Sequence, residues 1–143
     1  MTIRHILEAK GRDVFTTTAD TPMETVAALL VQQKIGAIVV TDDQGGVAGI
    51  VSERDVVRLV VSEGAAGLSM PVFERMTREV VKGEEDMSLD EAMELMTRGR
   101  FRHLPICQGK HLVGIISIGD AVKRRLEQVQ QEAEEMRTYI HTA

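Results

Sequence analysis

The sequence predicts an α/β (α+β) fold made of two β-α-β-β-α repeats packed as a pseudo-two-fold pair, followed by a long C-terminal helix. Three observations predict it. The decapeptide Gly49-Ile50-Val51-Ser52-Glu53-Arg54-Asp55-Val56-Val57-Arg58 is answered 65 residues later by Gly114-Ile115-Ile116-Ser117-Ile118-Gly119-Asp120-Ala121-Val122-Lys123, with glycine, serine and aspartate in register. Upstream, Met23, Val26, Ala27 and Leu30 match Leu89, Ala92, Met93 and Met96, both sets spaced i, i+3, i+4, i+7 as one helix face requires. Between helix and decapeptide, each copy carries two short apolar runs separated by a glycine-containing turn, the pattern of a β-hairpin.

Along the chain, Ile3, Ile6 and Leu7 mark a short opening helix over Ile3 to Ala9. Thr21-Pro22-Met23-Glu24 then predicts a helix start with an N-cap, a proline at N1 and a glutamate at N3. The hairpin Ala37 to Val40 and Val47 to Val51 turns over Asp42 to Gly46, and a helix follows from Glu53. The small-residue linker Glu63-Gly64-Ala65-Ala66-Gly67-Leu68 places the boundary near residue 68. Ser69-Met70-Pro71 leads into a short helix ending near Met76, and the opening segment is expected to play the same role for the first copy. Ser88-Leu89-Asp90-Glu91 is a second capping box, before the hairpin Leu104 to Ile106 and Leu112 to Ile116 and a helix from Ile118. The turn around Gln108 to His111 is one residue shorter than its partner, which changes the offset from 66 to 65 where loops tolerate indels. The expected division is 1–68 for the first repeat, 69–126 for the second and 127–143 for a helical extension. So small a unit exposes its sheet face, and pairing two hides both.

The bulk numbers narrow the function. An apolar fraction of 43% and a charged fraction of 27% over 143 residues describe an ordinary globular protein, and 3% aromatic residues imply an aliphatic core. A net charge of −5 argues against a nucleic-acid binder, which needs a basic surface, and stacking aromatics are scarce; a single-stranded nucleic-acid reading of the arginine cluster ranks last. One cysteine, Cys107, excludes an intramolecular disulfide, and MTIRHILEAK lacks the apolar run of a signal peptide, so a cytoplasmic protein is expected. His103, Cys107 and His111 cross a strand and a turn without a Cys-x-x-Cys pair, so no metal site is expected. With no P-loop, Gly-x-Gly-x-x-Gly or nucleophile elbow, no catalytic residues, required cofactor or enzyme activity are expected.

The pattern Gly-apolar-apolar-Ser-x-x-Asp at the end of both hairpins, preceded in the second copy by His103-Leu104-Pro105-Ile106, resembles the cystathionine β-synthase (CBS) domain family. Its members occur as tandem pairs called Bateman modules, and the likeness covers roughly residues 1 to 126. The resemblance implies a stand-alone regulatory sensor of an adenosyl ligand (AMP, ADP or ATP, with NAD or S-adenosylmethionine as further candidates) bound between the copies. It makes Asp55 and Asp120 the ribose ligands, since a carboxylate accepts from both hydroxyls. Ser52 and Ser117, one helical turn earlier, would meet a phosphate with hydroxyl and backbone N–H groups. Ile38 and Val39, or Leu104 and Pro105, would flank the adenine.

Copy two has Arg100, Arg102 and His103 where copy one has Lys34, Gly36 and Ala37, and Arg54 stands where copy two has Gly119. The Asp120 cleft is therefore expected to bind better, with Arg102, His103 and Arg54 from the opposite copy facing the phosphates. Plainer roles fit the same residues: Ser52 and Ser117 as N-caps, Asp55 and Asp120 as first-turn carboxylates, and Arg98, Arg100 and Arg102 as a solvated edge.

Val122, Leu126, Val129, Ala133, Met136 and Ile140 are spaced 4, 3, 4, 3, 4, an a/d seam that outruns the second repeat. It is expected to pair between subunits in a homodimer, folding back across the module being the other way to bury it. The rival to the sensor reading is a protein-interaction or dimerisation scaffold with a vestigial nucleotide cleft. The protein target is unknown.

Overall fold

The computed structural model describes residues 1–142. The chain order is α1 (Ile3–Lys10), β1 (Thr16–Thr18), α2 (Met23–Gln33), β2 (Ala37–Thr41), β3 (Val47–Ser52), α3 (Glu53–Glu63), 3₁₀ turns at Gly64–Ser69 and Val72–Glu74, α4 (Leu89–Gly99), β4 (His103–Gln108), β5 (His111–Ser117) and α5 (Ile118–Thr142). In the first repeat β2 pairs parallel with β1 and antiparallel with β3. In the second, β4 and β5 form the equivalent hairpin. The copies agree in detail: the hairpin register slips at Val40/Thr41 and again at Ile106/Cys107, and α2 and α4 end in left-handed basic residues, Lys34 and Arg100.

The first strand of the second repeat departs from expectation, because it is reduced to one parallel bridge, Gly83 to Ile106. Gly83 N–H donates to the Pro105 carbonyl and Cys107 N–H to the Gly83 carbonyl, both at 2.9 Å, so the geometry of the missing strand survives at one residue. Where the first copy has three β-branched threonines, the second has Lys82-Gly83-Glu84, with weaker strand preference. A Cβ at residue 83 would stand 3.0 Å from side-chain atoms of both Leu104 and Ile106, which is why glycine sits there.

The helix starts follow the sequence with one shift. Ser88 caps α4 by accepting from Glu91 N–H at 3.1 Å. For α2 the N-cap is Pro22 and not Thr21, because residues 21 and 22 are held extended against residues 71 and 72. The Thr21 carbonyl there accepts from Val72 N–H at 2.8 Å.

Two aliphatic cores form, and each takes a segment from the other half of the chain. Ile3, Ile6 and Leu7 of α1 are buried with Leu89, Ala92, Met96, Leu104, Ile106 and Ile116 of the second repeat. Val72, beyond the linker, is buried with Met23, Val26, Leu30, Ile38, Val40 and Val51 of the first. Backbone bonds fix the exchange: Ile3 N–H donates to the Met87 carbonyl at 2.9 Å, and Met23 N–H to the Met70 carbonyl at 2.8 Å. The opening helix therefore completes the second repeat and the post-linker segment the first, the reverse of the expected assignment. Either helical stripe suits either core by pattern, and only the chain path decides between them.

The repeats meet along their hairpins. Leu112 N–H approaches the Gly45 carbonyl at 3.4 Å at one end, and His103 lies against Gly36 at the other. Val39 and Pro105 stand at matched positions, buried yet outside both cores, on the sheet faces turned from Ile38, Val40, Leu104 and Ile106. Among the described residues no helix is long and apolar enough to cross a membrane.

Candidate functional site

Both strand-to-helix turns are built alike. Ser52 is the N-cap of α3; its N–H donates to Asp55 Oδ2 at 2.8 Å and its hydroxyl to the same oxygen at 3.1 Å. In the second turn Ser117 N–H donates to Asp120 Oδ2 at 2.8 Å, and Asp120 N–H to Ser117 Oγ at 3.0 Å. The capping role is thus real in both copies, and each cap uses one carboxylate oxygen. Among the described residues no protein donor reaches Oδ1 of either aspartate, which leaves an acceptor at each turn.

The surroundings of the two carboxylates differ. Lys10, in the last turn of α1, donates from Nζ to Asp120 Oδ2 at 2.7 Å and to the Ile115 carbonyl at 2.9 Å. Among the described residues Asp55 has no ion-pair partner. Burial alone would raise the Asp120 carboxyl, but the hydrogen bonds of Lys10 and Ser117 and the lysine charge outweigh it and hold the group below its ordinary 3.8. His103 Cε1 and Nε2 lie 2.9 and 3.1 Å from where a Cβ on residue 36 would stand, so glycine at 36 makes room for a histidine reaching across from the other repeat. Glu53 Oε1 is 3.7 Å from the same point.

His103 is held below its ordinary 6.5, first by burial and further by Lys10 and Arg102, against the opposing pull of Asp120 and Glu53. With a depressed folded value, the unfolded chain takes up the proton first as pH falls. The histidine's contribution is therefore intact above 6.5 and is lost as pH drops through that value, whereas that of Asp120 persists until pH falls below 3.8. The melting temperature is expected to decline between about pH 7.5 and about pH 5.5, and His103→Gln to flatten that decline. Superimposable wild-type and variant pH profiles would remove His103 as the titrating group.

The structure brings Ser117, Asp120 and His103 together, with the Arg102 backbone fixed beside them by Ile118 N–H donating to its carbonyl at 2.8 Å. Ile38 and Leu104 are not part of this surface: their side chains are fully buried in the cores of their own repeats, leaving Val39 and Pro105 as the residues on the opposite faces. Arg54 is exposed on α3, and it is its neighbour Glu53 that lies near His103 and Gly36. Of the arginine cluster, Arg98 pairs with Glu94 and Arg100 is the left-handed cap of α4. Lys10 and Glu53 were missed from sequence. Periodicity does not say that α1 packs into the second core, which is what brings Lys10 to Asp120, and the charge of Glu53 suggests no affinity for a phosphate.

The CBS domain family matches residues 3–62 and 72–127, the two repeats in tandem. The chain belongs to the CBS domain family. The CBS-domain containing protein ATU1752 from Agrobacterium tumefaciens is 46% identical and superposes with a TM-score of 0.84 over 87% of this chain and 99% of that one. CBS domain-containing protein CBSX3 of Arabidopsis thaliana, a mitochondrial protein, is 32% identical over 148 residues, spanning 97% of this chain and 71% of its own. Two CBS neighbours share the fold at lower identity and carry ligands. Protein PAE2072 from Pyrobaculum aerophilum is complexed with AMP (24% identity, TM-score 0.75, 84% of this chain and 89% of that one). The CBS domain pair of protein MJ0100 is in complex with 5′-methylthioadenosine and S-adenosyl-L-methionine (20%, 0.77, 90% and 97%). In this CBS pair the two Ser-x-x-Asp turns are the matched elements, and Lys10 beside Asp120 distinguishes the second from the first.

Proposed function

We propose that this CBS pair is a regulatory module that binds an adenosyl ligand, of the class of AMP, ADP, ATP, NAD or S-adenosylmethionine, in the cleft between its repeats. The observation that carries the reading is the Asp120 turn: Oδ2 is held by Lys10 and Ser117, Oδ1 is unengaged among the described residues, and His103 and Arg102 lie alongside. A ribose diol offers two O–H donors to such an acceptor. Val39 and Pro105 take the adenine-facing role assigned to the hairpins, and Ser52, Arg54 and Asp55 form a second, weaker cleft. The adenosyl ligands of PAE2072 and MJ0100 support the same chemistry in the same fold. The reading requires no catalytic residue and no cofactor.

The test is a thermal-shift screen against AMP, ADP, ATP, NAD and S-adenosylmethionine, repeated on Asp55→Ala and Asp120→Ala. A ligand at about 100 times its Kd stabilises the native state by roughly 2.7 kcal/mol, an upward shift of several degrees. That shift is expected to vanish in Asp120→Ala and to persist largely in Asp55→Ala, with calorimetry at 25 °C separating lost binding from lost fold. An Asp120→Ala variant stabilised like the wild type sinks the assignment, and no shift with any ligand leaves the dimerising scaffold.

We also propose that the chain is a homodimer paired through α5. Leu126, Val129, Met136 and Ile140 are each more than half exposed, so the seam is not folded back on the module. Charge favours a parallel, in-register pairing. With Leu126, Ala133 and Ile140 at a positions, Glu132 at g faces Arg137 at e of the second copy. The antiparallel arrangement that uses every layer would instead set Glu132 against Glu132 and Lys123 against Arg137.

A further inference from the structure

The two repeats satisfy one equivalent carbonyl in different ways. Ile50 and Ile115 correspond by the 65-residue offset. The Ile50 carbonyl accepts from the backbone N–H of Thr77 at 2.9 Å, within a two-bond bridge. The Ile115 carbonyl accepts instead from Lys10 Nζ, also at 2.9 Å. The substitution of a side chain for a backbone group brings an ammonium beside Asp120, and among the described residues nothing comparable stands beside Asp55.

An ammonium has three N–H donors. Two are used, by Ile115 O and Asp120 Oδ2, and among the described residues the third is left. The charges around the cleft make that donor decisive. Asp120 and Glu53 are anionic, Arg102 and Lys10 cationic, and His103 is held toward its neutral form. With Lys10 the group is balanced; without it a net negative charge meets an incoming phosphate monoester, which carries about −1.5 to −2 near pH 7. The side chains of Lys10 and Asp120 are each about a third exposed or less, so solvent screens them only in part.

We propose that Lys10 is a specificity-determining residue of the Asp120 cleft, selecting a phosphorylated nucleoside over its uncharged parent. The proposal rests on the adenosyl reading given above. Asp120 Oδ1 takes the ribose, while Lys10 cancels the carboxylate charge and offers its free N–H to the phosphate. The N-terminal helix thereby sets which ligand the distant strand-to-helix turn accepts.

The experiment is calorimetric titration of the full chain and of Lys10→Met with AMP and with adenosine, with Lys10→Arg as the charge-preserving control. Loss of one charge-assisted hydrogen bond is expected to weaken AMP by about tenfold or more, to move adenosine by less than about threefold, and to be largely rescued in Lys10→Arg. If AMP and adenosine weaken in proportion in Lys10→Met, the lysine only supports the fold and the proposal fails while the adenosyl reading stands. If AMP binds Lys10→Met as well as or better than the wild type, the lysine is an obstruction, and the proposal fails again. If the wild type binds neither AMP nor adenosine, the selectivity proposal fails, while the adenosyl reading is decided separately by the screen against ADP, ATP, NAD and S-adenosylmethionine.

Discussion

Replacing Leu7 with alanine is expected to lower the unfolding free energy by about 2–5 kcal/mol, the range for emptying a fully buried leucine site. Leu7 is 0% exposed, and it is packed onto Gly114 so closely that a Cβ there would fall 2.7 Å from its Cδ2. The strand has given up a side chain at 114 to seat this leucine, and the backbone cannot collapse into the space an alanine would leave. Against a total stability of about 5–15 kcal/mol, such a loss is a drop of roughly 5–20 °C in melting temperature. Exposed Val61→Ala, on the surface of α3, is the control and should cost no more than about 0.5 kcal/mol. Because Leu7 belongs to the second core, hydrogen exchange in Leu7→Ala should accelerate first in β4, β5 and α4. Protection lost first in β2, β3 and α2 would mean that α1 completes the repeat that follows it in sequence.

That outcome marks the limit of what periodicity conveys. The tandem repeat, both hairpins and the Ser88 cap were legible because each is written in local pattern, a period of two or of 3.6 with turn chemistry at its ends. The exchange of α1 and Val72 between repeats was not legible, because an amphipathic stripe says that it will be buried and not against what. The same limit explains Ile38 and Leu104. Ala37 to Val40 is apolar throughout and buried on both faces, so the run alone does not say which residues face their own core and which the other repeat. The strand at Gly83 was lost to a different effect, close packing of Leu104 and Ile106 over a residue that has room for no Cβ. The paired turns of Ser52 with Asp55 and Ser117 with Asp120 are legible because they recur; Lys10 and Glu53 do not recur, and their places depend on which elements meet.

Truncation after Leu126 is expected to convert a dimer into a monomer, read as a halving of mass by light scattering beyond the small loss of the removed residues. The deletion takes Val129, Ala133, Met136 and Ile140, four of the six seam positions, together with the Glu132 and Arg137 pair that favours the parallel arrangement. α5 spans 25 residues, about 37 Å at 1.5 Å per residue, and all of its residues from 129 to 142 are exposed. Full burial of each large apolar side chain is worth roughly 1.5–3 kcal/mol, and a symmetric dimer gains each twice. The cores of both repeats lie wholly upstream of the cut, Ala121 being their last buried residue, so the truncated chain should keep its fold and a near-unchanged melting behaviour at low concentration. A second surface makes the opposite result informative. Val57 and Val61 of α3, both more than half exposed, correspond by the 65-residue offset to Val122 and Leu126, so the first repeat presents the same apolar pair. A truncated chain that remains dimeric would move the contact to that repeated pair and away from the extension, and the α5 pairing would be wrong.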